Sequence, residues 1–175
     1  MAGRKTALQR FLRAPVYLYR WRFGWLLGKR FLLLNHIGRC SGRRHQTVLE
    51  IVEYRKADHE AIVMSGWGRD ADWLRNIEAR PGEIVIIGCD EFVASHRFLD
   101  EEEAIRALEK YERRNWFAAP VIRMVLSRLA GWKYHSSEDD RRQIVKQLPP
   151  IAFRPAPSSV RFAANLECKN PFPIL

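Results

Sequence analysis

At 175 residues, with 47% hydrophobic and 29% charged side chains, the chain is long enough for one packed domain and too apolar for wholesale disorder. A net charge of +10 favours anionic partners: nucleic acid, anionic lipid or an anionic small molecule. Three widely spaced cysteines (Cys40, Cys89, Cys168) argue for a reducing compartment and against a disulfide scaffold, and no Cys-x-x-Cys or His-x-x-x-His pair offers a metal site.

The first thirty residues are basic. No acid precedes Glu50, while Arg4, Lys5, Arg10, Arg13, Arg20, Arg22, Lys29 and Arg30 alternate with Phe11, Tyr17, Tyr19, Trp21, Phe23 and Trp25. Residues 7–28 are predicted helical. Such a helix can lie on an anionic membrane through residues 4–30, pack against the body of the domain, or bind RNA; the last has only charge behind it. No apolar run spans a bilayer, since Gly28, Lys29 and Arg30 interrupt Trp25–Leu34, and the N-terminus lacks a signal-peptide core. A cytoplasmic protein is expected, with a peripheral seat on the inner membrane face as an option.

Strands are predicted at Phe31–Ile37, Gln46–Tyr54 and Ala61–Ser65, the latter two joined by a polar loop at 56–60. Asp70–Ala79 reads as a short helix before Pro81. Two more strands follow, Glu83–Gly88 and Phe92–Phe98, linked by 89–91. Asp100 with Glu103 has the form of a capping box for a helix whose apolar positions are Ala104, Ile105, Leu108 and Tyr111. A largely apolar helix spans 116–131 and stops at Gly131; another runs from Ser137 to about Leu148. Ile151–Phe153 reads as a closing strand, and the chain from Pro155 on as an irregular tail. Strands first, then helices, then one strand describe an α+β domain built on an antiparallel sheet or small barrel.

Between the first two strands lies Gly38-Arg-Cys-Ser-Gly-Arg-Arg-His-Gln-Thr-Val-Leu49. Glycines let backbone N–H groups converge, and the guanidinium forks of Arg39, Arg43 and Arg44 grip planar oxyanions, so the loop suits a phosphate or carboxylate. A hairpin with solvated arginines remains the plain alternative.

Gly66-Trp-Gly-Arg-Asp-Ala71 has the outline of a dinucleotide fingerprint. Asp70 and Asp72 would face the pyrophosphate, Trp67 would crowd the turn, and no second βα unit follows. The segment has a better use: Ser65-Gly-Trp-Gly68 can present N–H groups and an aromatic wall to a flat ring, with Trp73 and Asn76 on one helix face beside it. For Trp73 a place in the core is the competing role.

Three pieces together resemble the nitroreductase family of deazaflavin-dependent oxidoreductases, of the F420H2-dependent quinone reductase-like kind with a split β-barrel. They are Gly38-Arg-x-Ser-Gly-Arg-Arg-x-x-Thr-x-Leu49, Ser65-Gly-Trp-Gly-x-x-x-Asp-Trp73 and Asn76-Ile-x-Ala-x-Pro81. The resemblance covers roughly 15–154 and implies a flavin- or deazaflavin-type split β-barrel over 31–154; the residues themselves add a basic amphipathic segment over 1–30, a helical insert at 116–148 that is longer than the family pattern, and a tail over 155–175. It implies coenzyme F420, with flavin mononucleotide (FMN) as the alternative.

Arg39, Arg43 and Arg44, helped by Ser41 and Gly42, would then hold the phosphate and acidic tail, with Cys40, Thr47 and Leu49 also in the cofactor site; Ser65, Gly66, Trp67 and Gly68 would lie along the ring, supported by Trp73 and Asn76. Family members often carry a basic residue where Cys40 stands. The implied reaction is hydride transfer to a flat electrophile such as a quinone, an enone or a nitroaromatic. Tyr111 and Tyr134 are the only tyrosines placed to donate a hydroxyl proton there, and each also reads as structural. A non-catalytic lipid-, haem- or flavin-binding module is the rival function, and a homodimer is compatible with either.

Overall fold

The computed structural model describes residues 30–88 and 90–157. The expected basic helix at 7–28, Cys89, Cys168 and the tail from 158 lie outside them. Six strands form a closed antiparallel barrel: β1 (Phe31–Ile37), β2 (Arg44–Arg55), β3 (Glu60–Met64), β4 (Ile84–Ile87), β5 (Asp90–Phe98) and β6 (Pro150–Pro155), in the ring order β1-β2-β3-β6-β5-β4. Helix α1 (Asp72–Ala79) joins β3 to β4; α2 (Glu101–Arg114), α3 (Ala119–Ala130) and α4 (Glu138–Gln147) lie between β5 and β6. The α+β barrel expected from the element order is what forms, and its all-antiparallel pairing leaves no βαβ unit for the dinucleotide reading of Gly66–Ala71.

Strand alternation sorts the core into layers. Leu32, Leu34, Ile51, Ala61, Val63, Val85, Ile87, Ile151 and Phe153 face the barrel interior, where Trp73, Leu74 and Ile77 of α1 join them. Ile62 and Ala152 point outward and, with Val52, meet Ala107 of α2. A bulge at Ile51/Glu53 in the β2–β3 register inserts one residue. It brings Glu53 to the outer face, where Lys110 of α2 donates to it at 2.7 Å. A third cluster, including Leu108, Ile122, Leu126, Tyr134 and Ile144, binds the three C-terminal helices together.

Asp100 caps α2 as expected, accepting from the Glu103 N–H at 2.7 Å. The second half of the capping box is absent. The Glu103 carboxylate instead takes two bonds of 2.8 Å from Arg97 and one from Arg55, and both arginines also reach the buried Glu60. This network rivets α2 to the β2–β3 and β5 strands.

Two helix boundaries differ from expectation. Residues Gly68–Asp70 form a 3-10 turn, and α1 starts at Asp72 because the Asp70 carboxylate pairs with Arg75 and caps nothing. The 116–131 helix splits into a 3-10 turn at Trp116–Ala118 and α3, with Pro120 in the first turn and Gly131 closing it at φ +83°.

Candidate functional site

The Gly38–Arg43 loop is a tight hairpin turn. Gly38 N–H donates to Arg43 O at 2.8 Å, and Gly42 N–H donates to Gly38 O at 2.9 Å. The two glycines matter for different reasons: backbone conformation at Gly42, side-chain crowding at Gly38. A Cβ on Gly38 would lie 2.5 Å from Ser41 Oγ and 2.9 Å from His45 Nε2, and Gly42 sits at φ +64°.

Asn76, one turn before the end of α1, holds this hairpin down. Its side-chain oxygen accepts from the Arg39 backbone N–H and from Arg39 Nη1, both at 3.0 Å. That orientation leaves Asn76 Nδ2, which only donates, facing His36 Nδ1 at 3.2 Å. His36 Nδ1 must therefore accept, so the ring proton is on Nε2, 3.2 Å from Thr47 Oγ1. Burial, and after it the stacked His45 ring 5.7 Å away, pushes His36 down to about 4. The imidazole is a neutral strut at physiological pH. Arg39 completes the clamp by donating from Nη2 to Asp72 Oδ1 at 3.0 Å.

Around this anchored turn the charge is one-sided. Arg43 and Arg44 are exposed, and neither has a carboxylate partner among the described residues. Arg80 joins them, its Nη1 lying 4.0 Å from where a Gly42 Cβ would be. It was missed in the sequence, yet a signal existed: Arg80 follows Asn76 by one helical turn, and its N–H donates to Asn76 O at 2.9 Å. Cys40 is exposed, Ser41 Oγ accepts from Arg43 N–H at 3.3 Å, and Leu49 packs on the barrel core opposite Leu32.

The second segment is a turn leading into α1. The buried Ser65 hydroxyl donates to Gly68 O, and Gly68 N–H returns a bond to Ser65 O at 3.0 Å. Gly68 has φ +63° and lies against Gln147 O; a Cβ on Gly66 would touch Leu129 of α3 at 3.5 Å. Trp67 is half exposed, a free indole face at this turn. Trp73 does not share that exposure: its ring is buried in the barrel core 6.3 Å from Phe153. Trp73 and Asn76 therefore do not look into one pocket, because α1 turns the first toward the core and the second toward the hairpin.

The two tyrosines lie elsewhere. Tyr134 is 2% exposed within the helical cluster and donates to Glu112 at 2.7 Å; Tyr111 donates to Glu50 at 2.9 Å. Burial, reinforced by the adjacent carboxylate, raises both phenols far above their ordinary value.

A family profile described as F420H2-dependent quinone reductase matches residues 12–128, more than half of the chain. No curated protein matches. Among solved structures, an F420-H2 dependent reductase (FDR-A) is 18% identical, covering 73% of this chain and 96% of its own, with a TM-score of 0.41. A general stress protein 26-related protein of the pyridoxinephosphate oxidase family from Clostridium acetobutylicum is 6% identical over 79% and 84%, with a TM-score of 0.45. The haem storage protein HutZ from Vibrio cholerae is 11% identical over 79% and 90%, with a TM-score of 0.40.

Proposed function

This chain belongs to the F420H2-dependent quinone reductase family and is an F420-dependent reductase, and we propose that its 38–44 hairpin, with Arg80, holds the acidic handle of coenzyme F420. The observation that carries the proposal is the set of three guanidiniums, Arg43, Arg44 and Arg80, that have no carboxylate partner among the described residues, around a turn that Asn76 pins to α1. Charge-assisted, bidentate pairing is what a phosphate or carboxylate tail requires, so the residues present suit that group. Arg39 has a different part. It fixes the hairpin through Asn76 and can still exchange its exposed Asp72 contact for an anion.

When bound, the coenzyme supplies the hydride. The protein's contribution is position and shape. Trp67 offers an indole wall, and the Ser65–Gly68 turn a backbone edge, along which a flat ring can lie. The acceptor proposed is a flat electrophile, a quinone before an enone or nitroaromatic, reached at a membrane surface. Both candidate tyrosine hydroxyls are committed to carboxylates, so protonation of the reduced acceptor is assigned to solvent.

Fluorescence titration with F420 tests the binding site. Arg44→Ala and Arg80→Ala are each expected to weaken binding about tenfold or more, with Arg123→Ala on α3 unchanged. Unaltered affinity in both arginine variants, Arg44→Ala and Arg80→Ala, would move the anion site elsewhere. Retention of haem or flavin without quinone turnover would favour the non-catalytic module.

A further inference from the structure

Helix α3 is amphipathic twice over. Ile122, Leu126 and Ala130 face the other helices and are buried. On the opposite side, Val121, Met124 and Val125 recur at helical spacing with Phe117 one turn earlier and Trp116 beside it. These are large side chains left in water: Trp116 is 75% exposed, Phe117 68%, Met124 62% and Val121 56%. Isolated exposed hydrophobics are ordinary, but five on one helical edge form a patch.

The charge around this patch identifies what covers it. Between Glu112 and Glu138 the chain has no Asp or Glu, and it carries Arg113, Arg114, Arg123, Arg128 and Lys133. None of these five has a carboxylate partner among the described residues; Arg114 is spent on the Ile51 and Val52 carbonyls and the Tyr111 ring. A second copy laid face to face would oppose two such cationic rims. The chain's own first 29 residues hold seven Lys and Arg and no acid, so they too would bring like charge. We propose that the Trp116–Val125 face, made by the 3-10 turn and α3, is a docking surface for an anionic lipid bilayer, with its apolar stripe in the acyl boundary and the four remaining cations, Arg113, Arg123, Arg128 and Lys133, at the headgroup phosphates.

The face has a useful neighbour. Leu129 of the same helix lies next to the Gly66 turn, 3.5 Å from where a Gly66 Cβ would be, so a lipid-dissolved acceptor would leave the bilayer beside the segment assigned to the ring. This last clause rests on the function proposed above; the docking surface itself does not.

The test is co-sedimentation of the full chain with phosphatidylcholine vesicles, with and without phosphatidylglycerol. Binding to the anionic vesicles is expected, with a partition coefficient at least about tenfold lower for the double variant Val121→Glu, Met124→Glu. Arg123→Glu with Arg128→Glu should erase the preference for phosphatidylglycerol. Urea midpoint and F420 titration of these variants should match wild type, which separates lost docking from lost fold. Undiminished vesicle binding in both double variants would overturn the proposal and leave attachment to another segment. So would a concentration-dependent dimer that the Val121→Glu, Met124→Glu variant abolishes, since the face would then meet a second copy. Loss of F420 binding in wild type with vesicle binding intact would sink the cofactor assignment alone.

Discussion

Asn76→Ala is the sharpest probe of the site, because one buried amide makes three contacts that couple α1, β1 and the hairpin. It removes an acceptor from a backbone N–H, an acceptor from a guanidinium, and the donor to His36 Nδ1. A neutral bond is worth about 1 kcal/mol net and a charged one about 1.5–3 kcal/mol. Arg39 keeps its Asp72 contact, and water can reach its exposed edge, so the losses do not sum fully. The expected destabilisation is about 2–3 kcal/mol by urea unfolding, accompanied by weaker F420 binding. Asn76→Asp isolates the amide donor. Both contacts to Arg39 survive, but an acceptor now faces His36 Nδ1, which must take up a proton. His36 should then titrate well above its present value of about 4, read from its imidazole proton shifts. A destabilisation below about 0.5 kcal/mol in Asn76→Ala, or an unmoved His36 in Asn76→Asp, would refute the clamp.

The acid limb of stability should show two windows. A histidine titrates near 6.5 when unfolded and His36 at about 4 when folded, so the unfolded chain binds the proton first. Stability should therefore fall by up to about 3 kcal/mol as pH drops from about 6.5 to about 4, then level off. His36→Gln should flatten that window in urea midpoints taken across pH. Glu103, held down to about 2 chiefly by Arg97 and further by Arg55, adds a separate loss from about 4.5 downward, which Glu103→Gln removes. Tyr134→Phe deletes a buried donor to Glu112 and should cost about 1–3 kcal/mol of stability while leaving quinone turnover within about twofold. A selective loss of turnover there would return Tyr134 to the acceptor side.

Much of the barrel was legible because its strands are short apolar runs separated by turn residues. Phe31–Ile37 is recovered residue for residue, as is the end of β5 at Phe98 and the Gly131 stop of α3. The closing strand was legible, but its neighbours were not. Nothing in the Pro150–Pro155 stretch states that it pairs with both β3 and β5. Within the site, the loop sequence announced its chemistry but not its geometry. Arg39 and Arg43 look alike in sequence, yet Arg39 is committed to Asn76 and Asp72 while Arg43 is unpaired by any acid among the described residues. Trp73 and Asn76 share a helix face by spacing alone. A short helix over a barrel mouth has core on one flank and a loop on the other, and only tertiary packing assigns the flanks.

The pairing order has a consequence for how the molecule is made. β6 inserts between strands that end at Met64 and begin at Asp90, and it is the last of the six to leave the ribosome. Until it arrives, β3 and β5 each present an unpaired flank of N–H and C=O groups, open to pairing with other chains. A nascent chain that stalls within α2–α4 is thus a barrel with a missing stave and a vulnerable aggregation-prone intermediate, and the long-range closure makes that step slow.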